Sequence, residues 1–168
     1  MNGAGKTVFG GLIGLLAVGL AVLVYTLMRP TQAPAPLLDW QDSATVARGA
    51  AIYESECTAC HGSLATAPPA DAPPPSAPRH DETGHSWEHP DYVLFQLTKS
   101  GEVAELCLTG GDGGMPQFEE ALNDRQIVDV LSYIKSTWPE PTRAHQETVN
   151  TLYSAQNAAV RDLILTAD

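Results

Sequence analysis

Cys57, Thr58, Ala59, Cys60 and His61 set two thiols three positions apart, with an imidazole directly behind the second. No other feature limits the fold of this chain so narrowly. Both sulfurs reach one object only if the chain between them makes a single tight turn, and the histidine then stands against the same object. The stretch that leads into the turn reads as a helix. Asp42 or Ser43 is of the residue type that caps a helix start, and the helix is expected to run to about Glu56. Val46, Gly49, Ala50 and Tyr53 fall on one of its faces, where Gly49 leaves a notch for a second helix to approach closely.

Three kinds of chemistry use closely spaced cysteines. A structural zinc site needs four ligands, and the chain has no second Cys pair to supply them. A dithiol redox pair belongs after a strand and at a helix start, whereas this pair follows a helix. The third is attachment of a c-type haem, for which Cys-x-x-Cys-His is the recognised pattern. Thioether bonds tie the two cysteines to the haem, and the histidine is the proximal iron ligand. A thioether sulfur suits the other axial position and raises the potential relative to imidazole. Met1 is the start residue and Met28 lies at the end of an apolar run. Met115 alone stands in a glycine-rich loop, LTGGDGGMPQF, Leu108–Phe118. Burial as core is the plainer use of a methionine, and His80, His85, His89 or His145 would give a bis-histidine iron instead.

On these residues the chain resembles the class I cytochromes c, specifically the small, membrane-anchored, single-haem bacterial members. The likeness runs over roughly Ala44–Pro139 and includes LSYIKSTWP, Leu131–Pro139, which is similar to the closing helix of that family. The resemblance implies an all-α, class I cytochrome c fold. It implies haem c, one per chain, bonded covalently through Cys57 and Cys60, with His61 and Met115 as the iron ligands. It also implies that the first helix crosses the last at Gly49 and Tyr53, against Tyr133. A carbonyl of Pro68, Pro69 or Pro78 would steady the Nδ1 proton of His61, with Pro78 preferred. Trp87, near Arg79 or His85, would donate to a haem propionate or else fill core volume.

The rest of the chain is less specific. Residues 8–28 carry no charge, and as a helix they would measure about 32 Å, enough to cross a bilayer core. They are expected to form a retained membrane anchor in contact with lipid, preceding the fold as one transmembrane helix. Ala33-Pro34-Ala35 also has the form of a cleavage site. Residues 2–7, NGAGKT, end like a phosphate-binding loop but lack its preceding strand and first glycine. The expected organisation is an anchor at 1–28, a Pro/Ala-rich linker at 29–43, the haem domain at 44–139 and a helical extension at 140–168. Further helices are expected at Asp91–Lys99, opened by Pro90, and from Asn123 or Asp124 to Thr137. The extension either packs back on the domain or meets a partner.

All twenty acidic residues follow residue 38, and the net charge is −11. This surface excludes nucleic acid as a partner and suits a basic docking face, or solubility alone. An iron held by two protein ligands has no open position, so the expected task is one-electron transfer and not enzymatic turnover. The resemblance points to a quinol-oxidising complex (a quinol–cytochrome c reductase) as donor and a terminal oxidase or reaction centre as acceptor. The chain would serve as a shuttle or as a fixed subunit. It places the haem domain in the periplasm, on a single-pass inner-membrane helix with a cytoplasmic N-terminus. Two other functions fit the residues. One is a peroxidase-like haem enzyme whose Met115 leaves the iron. The other is a sensor or metal-handling protein that uses His80, His85 and His89. Cys107 is left without a partner in the chain and reads as a small buried apolar side chain.

Overall fold

The structure, a computed structural model, describes residues 18–28, 35–66, 69, 71–100 and 115–166. The chain divides into two compact units, Met1–Pro34 and Ala35–Asp168. In the first unit, residues 18–28 are helical (α1). Its side chains are exposed, Leu27 at 76 % and Met28 at 77 %.

The expected transmembrane helix over residues 8–28 is not upheld. Among the described residues no helix is long and apolar enough to cross a membrane. Residues 8–17 lie outside the described residues, as do residues 2–7 and Cys107. The lipid contact, the single-pass inner-membrane placement and the membrane-anchored form of the resemblance fall with this helix.

In the second unit, α2 (Ser43–Ile52), a π-turn (Tyr53–Cys57) and α3 (Thr58–His61) follow one another without a break. Asp42 caps α2, its carboxylate accepting from Thr45 N–H at 2.7 Å. That bond holds the Asp42 carboxyl below its ordinary pKa. A 3₁₀ turn at Ser86–Glu88 precedes α4 (Asp91–Lys99), with Pro90 at its N-cap. Helix α5 (Asp124–Thr137) opens with a capping box, in which Asn123 and Gln126 each bond the other's backbone N–H. Pro141 does more than stop α5: it lies in the first turn of α6 (Glu140–Leu152), where its missing N–H costs nothing. The extension bends at Tyr153 (φ −116, ψ 26) and continues as α7 (Ser154–Thr166). Among the described residues there is no strand.

Helices α2 and α5 cross at Gly49. A Cβ there would lie 2.0 Å from the Asp129 carbonyl oxygen, so the two backbones touch where only glycine fits. Beside the crossing, Tyr53 and Tyr133 pack with ring centroids 5.5 Å apart. Arg48 donates to both carboxylate oxygens of Asp129, at 2.7 and 2.9 Å. The core gathers Tyr53, Leu94, Phe95, Ile127, Val130, Leu131, Ile134 and Trp138. Leu37 and Leu38 belong to it as well, at 5 % and 0 % exposure. The linker expected over 29–43 therefore ends before them, although its string of prolines gave no sign of it.

The extension packs back on the domain. Asn150 Oδ1 accepts from Asp91 N–H, and Asn157 Oδ1 from Tyr92 N–H, both at 2.9 Å. The first turn of α4 thus takes its caps from helices more than fifty residues away in sequence. Gln146 joins them, donating to the Asp91 carboxylate at 2.6 Å and to His89 O at 3.2 Å. Lys135 is fully buried beside Asp91 (3.5 Å) and Glu147 (2.6 Å). At the far end of the extension Arg161 donates to Ala35 O at 2.5 Å, and at its start Arg143 lies 4.7 Å from the centre of the Trp40 ring.

Candidate haem site

The π-turn ends on Cys57, and α3 carries Cys60 and His61 on the next turn of the same helical run. Thr58 N–H bonds Tyr53 O across the bulge, and the Thr58 hydroxyl donates to the same carbonyl at 3.1 Å. Gly62 then adopts φ +77, a conformation that favours glycine, and its carbonyl accepts from the Tyr53 hydroxyl at 3.0 Å. Burial is the main cause that pushes the Tyr53 phenol well above its ordinary pKa, so it stays a donor. These bonds stop the helix one residue after His61 and turn the chain back.

The proline-rich loop returns to the same place. Ala77 N–H donates to Cys60 O at 3.0 Å, and His61 Nδ1 stands 2.6 Å from Pro78 O. A carbonyl can only accept, so the proton of the neutral His61 ring sits on Nδ1. Nε2 is left with a free lone pair, the arrangement of a histidine whose backbone partner orients it for a metal. His61 itself is 8 % exposed. Arg79 spans the loop, donating to the Asp81 carboxylate and, at 3.1 Å, to Ser63 O.

Cys57 is half-buried and Cys60 exposed, and neither forms a disulfide. Burial, with Glu56 second, pushes the Cys57 thiol up to about 11. A dithiol redox centre needs the opposite shift, toward thiolate. The donor set is two thiols in one turn plus an imidazole with Nε2 free. It fits covalent haem attachment and does not fit thiol–disulfide exchange.

Other residues singled out in the sequence are dispersed. Trp87 uses its one N–H donor on Gly84 O at 3.0 Å and meets His145 edge to face at 5.2 Å. His85 and His89 pair at 5.6 Å, while His80 stacks on His61. Among the described residues no group of three or more His, Cys, Asp or Glu side chains could hold a metal ion. The His80/His85/His89 metal site is therefore not assembled. Met115 is the first described residue after 101–114 and is 43 % exposed. The two ends of that stretch are clasped together by Phe118 N–H to Thr98 O (3.2 Å) and Gln117 Nε2 to Ser100 O (2.7 Å).

Sequence reasoning did not find the stack of His80 on His61. Three histidines stand within ten residues, and nothing local separates the one that turns inward.

The cytochrome c family model matches residues 46–138, more than half of the chain. The chain belongs to the cytochrome c family. No curated protein and no solved structure matches it. As a member of this family it is a haem-binding electron-transfer protein and not an enzyme, which sets aside the peroxidase-like function. Membership also implies covalently bound haem c.

Proposed function

We propose that this chain carries single electrons between two redox proteins, with one haem c bonded through Cys57 and Cys60. His61 is its proximal ligand and Met115 its distal one. When bound, the haem supplies the one-electron couple. The observation that carries this reading is the 2.6 Å contact from His61 Nδ1 to Pro78 O beside two thiols in one turn. It fixes the tautomer and leaves Nε2 to ligate. Tyr53 and Gly62 hold the turn, and Pro78 holds the ring. Because the oxygen on His61 is a backbone atom, Pro78→Ala keeps it, and what that variant risks is the course of the loop. Trp87, whose only donor is used within the protein, supports the loop and stays outside the proposed haem contacts, as does Arg79.

The donor we favour is a quinol-oxidising complex and the acceptor a terminal oxidase or a reaction centre, met by diffusion or within one assembly. The net charge of −11 supports a docking face that is basic on the partner. Such docking weakens as salt rises.

Extraction with acidified acetone tests the covalent link. The haem is expected to remain with the polypeptide, and haem that passes into the solvent would end this reading. Met115→Ala tests the distal ligand. The near-infrared charge-transfer band of an iron–thioether bond is expected in the ferric protein and should vanish in the variant, with a lower reduction potential. A wild-type spectrum without that band at neutral pH removes Met115 from the iron.

A further inference from the structure

His80 packs its ring on that of His61, with centroids 4.0 Å apart and planes inclined by 30°. It is held from several sides. Its Nδ1 lies 2.8 Å from Ser86 Oγ, and its carbonyl accepts from Trp138 Nε1 at 2.6 Å. Trp138 is 1 % exposed, so this anchor is part of the core. Tyr53 meets the ring edge-on at 6.2 Å.

A single hydrogen bond from His61 Nδ1 to Pro78 O fixes the direction of the N–H but not the tilt of the ring about that line. A flat side chain against one face blocks the tilt. We propose that His80 is a positioning residue for the axial ligand: its ring, tethered by Ser86 on a backbone that Trp138 anchors, sets the plane in which the His61 imidazole stands. The inference rests on His61 being the proximal haem ligand. Simple space filling accounts poorly for the choice of residue. An aliphatic side chain would fill the same volume without taking an imidazole out of water beside a second one. A tethered ring costs that desolvation and gives a fixed orientation in return.

The orientation of an axial imidazole is read in the ferric holoprotein from the haem-methyl proton shifts, whose spread and order follow the ring plane. A merely structural role changes stability and leaves that pattern alone. His80→Ala is expected to alter the pattern or split it into more than one set. His80→Phe keeps a flat face at the same place and is expected to restore a single, wild-type-like set. Ser86→Ala keeps the ring and removes one tether, and is expected to move the shifts in the same direction by less. If His80→Ala fails to load haem, His80→Phe and Ser86→Ala decide the matter. Wild-type shifts in Ser86→Ala, or a pattern in His80→Phe displaced as far as that of either other variant, overturn the proposal. Acetone extraction of the same samples keeps the two readings apart. Haem retained with an unmoved pattern refutes the role of His80 alone, whereas haem released from the wild type refutes the attachment.

Discussion

Gly49→Ala is expected to cost the haem-binding unit more than about 3 kcal/mol, the upper end of what overpacking a core usually does. The added Cβ would stand 2.0 Å from the Asp129 carbonyl oxygen, 2.6 Å from its carbon and 2.8 Å from Tyr133 Cβ. The first two are backbone atoms of a regular helix and have no rotamer to escape into. Helices α2 and α5 would have to part, and the Tyr53–Tyr133 contact at the crossing would open with them. Denaturant unfolding checks this against Ala51→Gly, an exposed position two residues on, which should lose only about 1 kcal/mol. Equal losses in the two variants would mean that the crossing is looser than described.

Asp91→Ala is the second large effect, expected near 3–5 kcal/mol for removing one partner of a buried ion pair. Lys135 and Asp91 are 0 % and 1 % exposed. Without the carboxylate, Lys135 keeps only Glu147, which is itself half-exposed. Gln146 Nε2 keeps only His89 O at 3.2 Å. Replacing both charges with apolar side chains, Asp91→Leu with Lys135→Met, should recover much of the loss, because the desolvation penalty leaves together with the attraction. The pair is read by urea midpoints of the three proteins. A single variant that loses less than about 1 kcal/mol would show that the network contributes little. Truncation after Pro139 removes Gln146, Glu147, Asn150 and Asn157 together and should be at least as damaging as Asp91→Ala.

Elements with local start and stop signals were legible in the sequence. Asp91–Lys99 and Asp124–Thr137 begin and end where the sequence puts them, because Pro90, Asn123, Ser100 and Pro139 act within one turn of the ends they mark. The motif at Cys57–His61 was legible for the same reason. Tertiary burial was not. Leu37 and Leu38 close a string of prolines and look like linker, yet they lie in the core. Gln146, Asn150 and Asn157 look like a solvated face. Gln146 and Asn150, four apart on α6, share one side of a helix, a signal that could have marked an inward polar stripe, and Asn157 lies past the bend on α7. The apolar run at 8–28 was read by composition, whereas a span needs a continuous helix. Among the described residues no helix is long and apolar enough to be one.

The bulge at Tyr53–Cys57 governs where the five-residue motif points. His61 lies twelve positions after Gly49. In an unbroken α-helix at 3.6 residues per turn, that places it roughly 120° around the axis from the glycine. A π-turn absorbs one extra residue, so the twelve positions count as eleven and the offset falls to roughly 20°. Both residues are buried, as that phase predicts. An insertion of one residue between 53 and 56 would leave Cys-x-x-Cys-His spelled as before and swing its imidazole about 100° around the axis toward water, whereas a deletion there would only remove the bulge and keep the phase. Phase along the helix, and not only the spelling of the motif, decides whether such a chain can grip its iron.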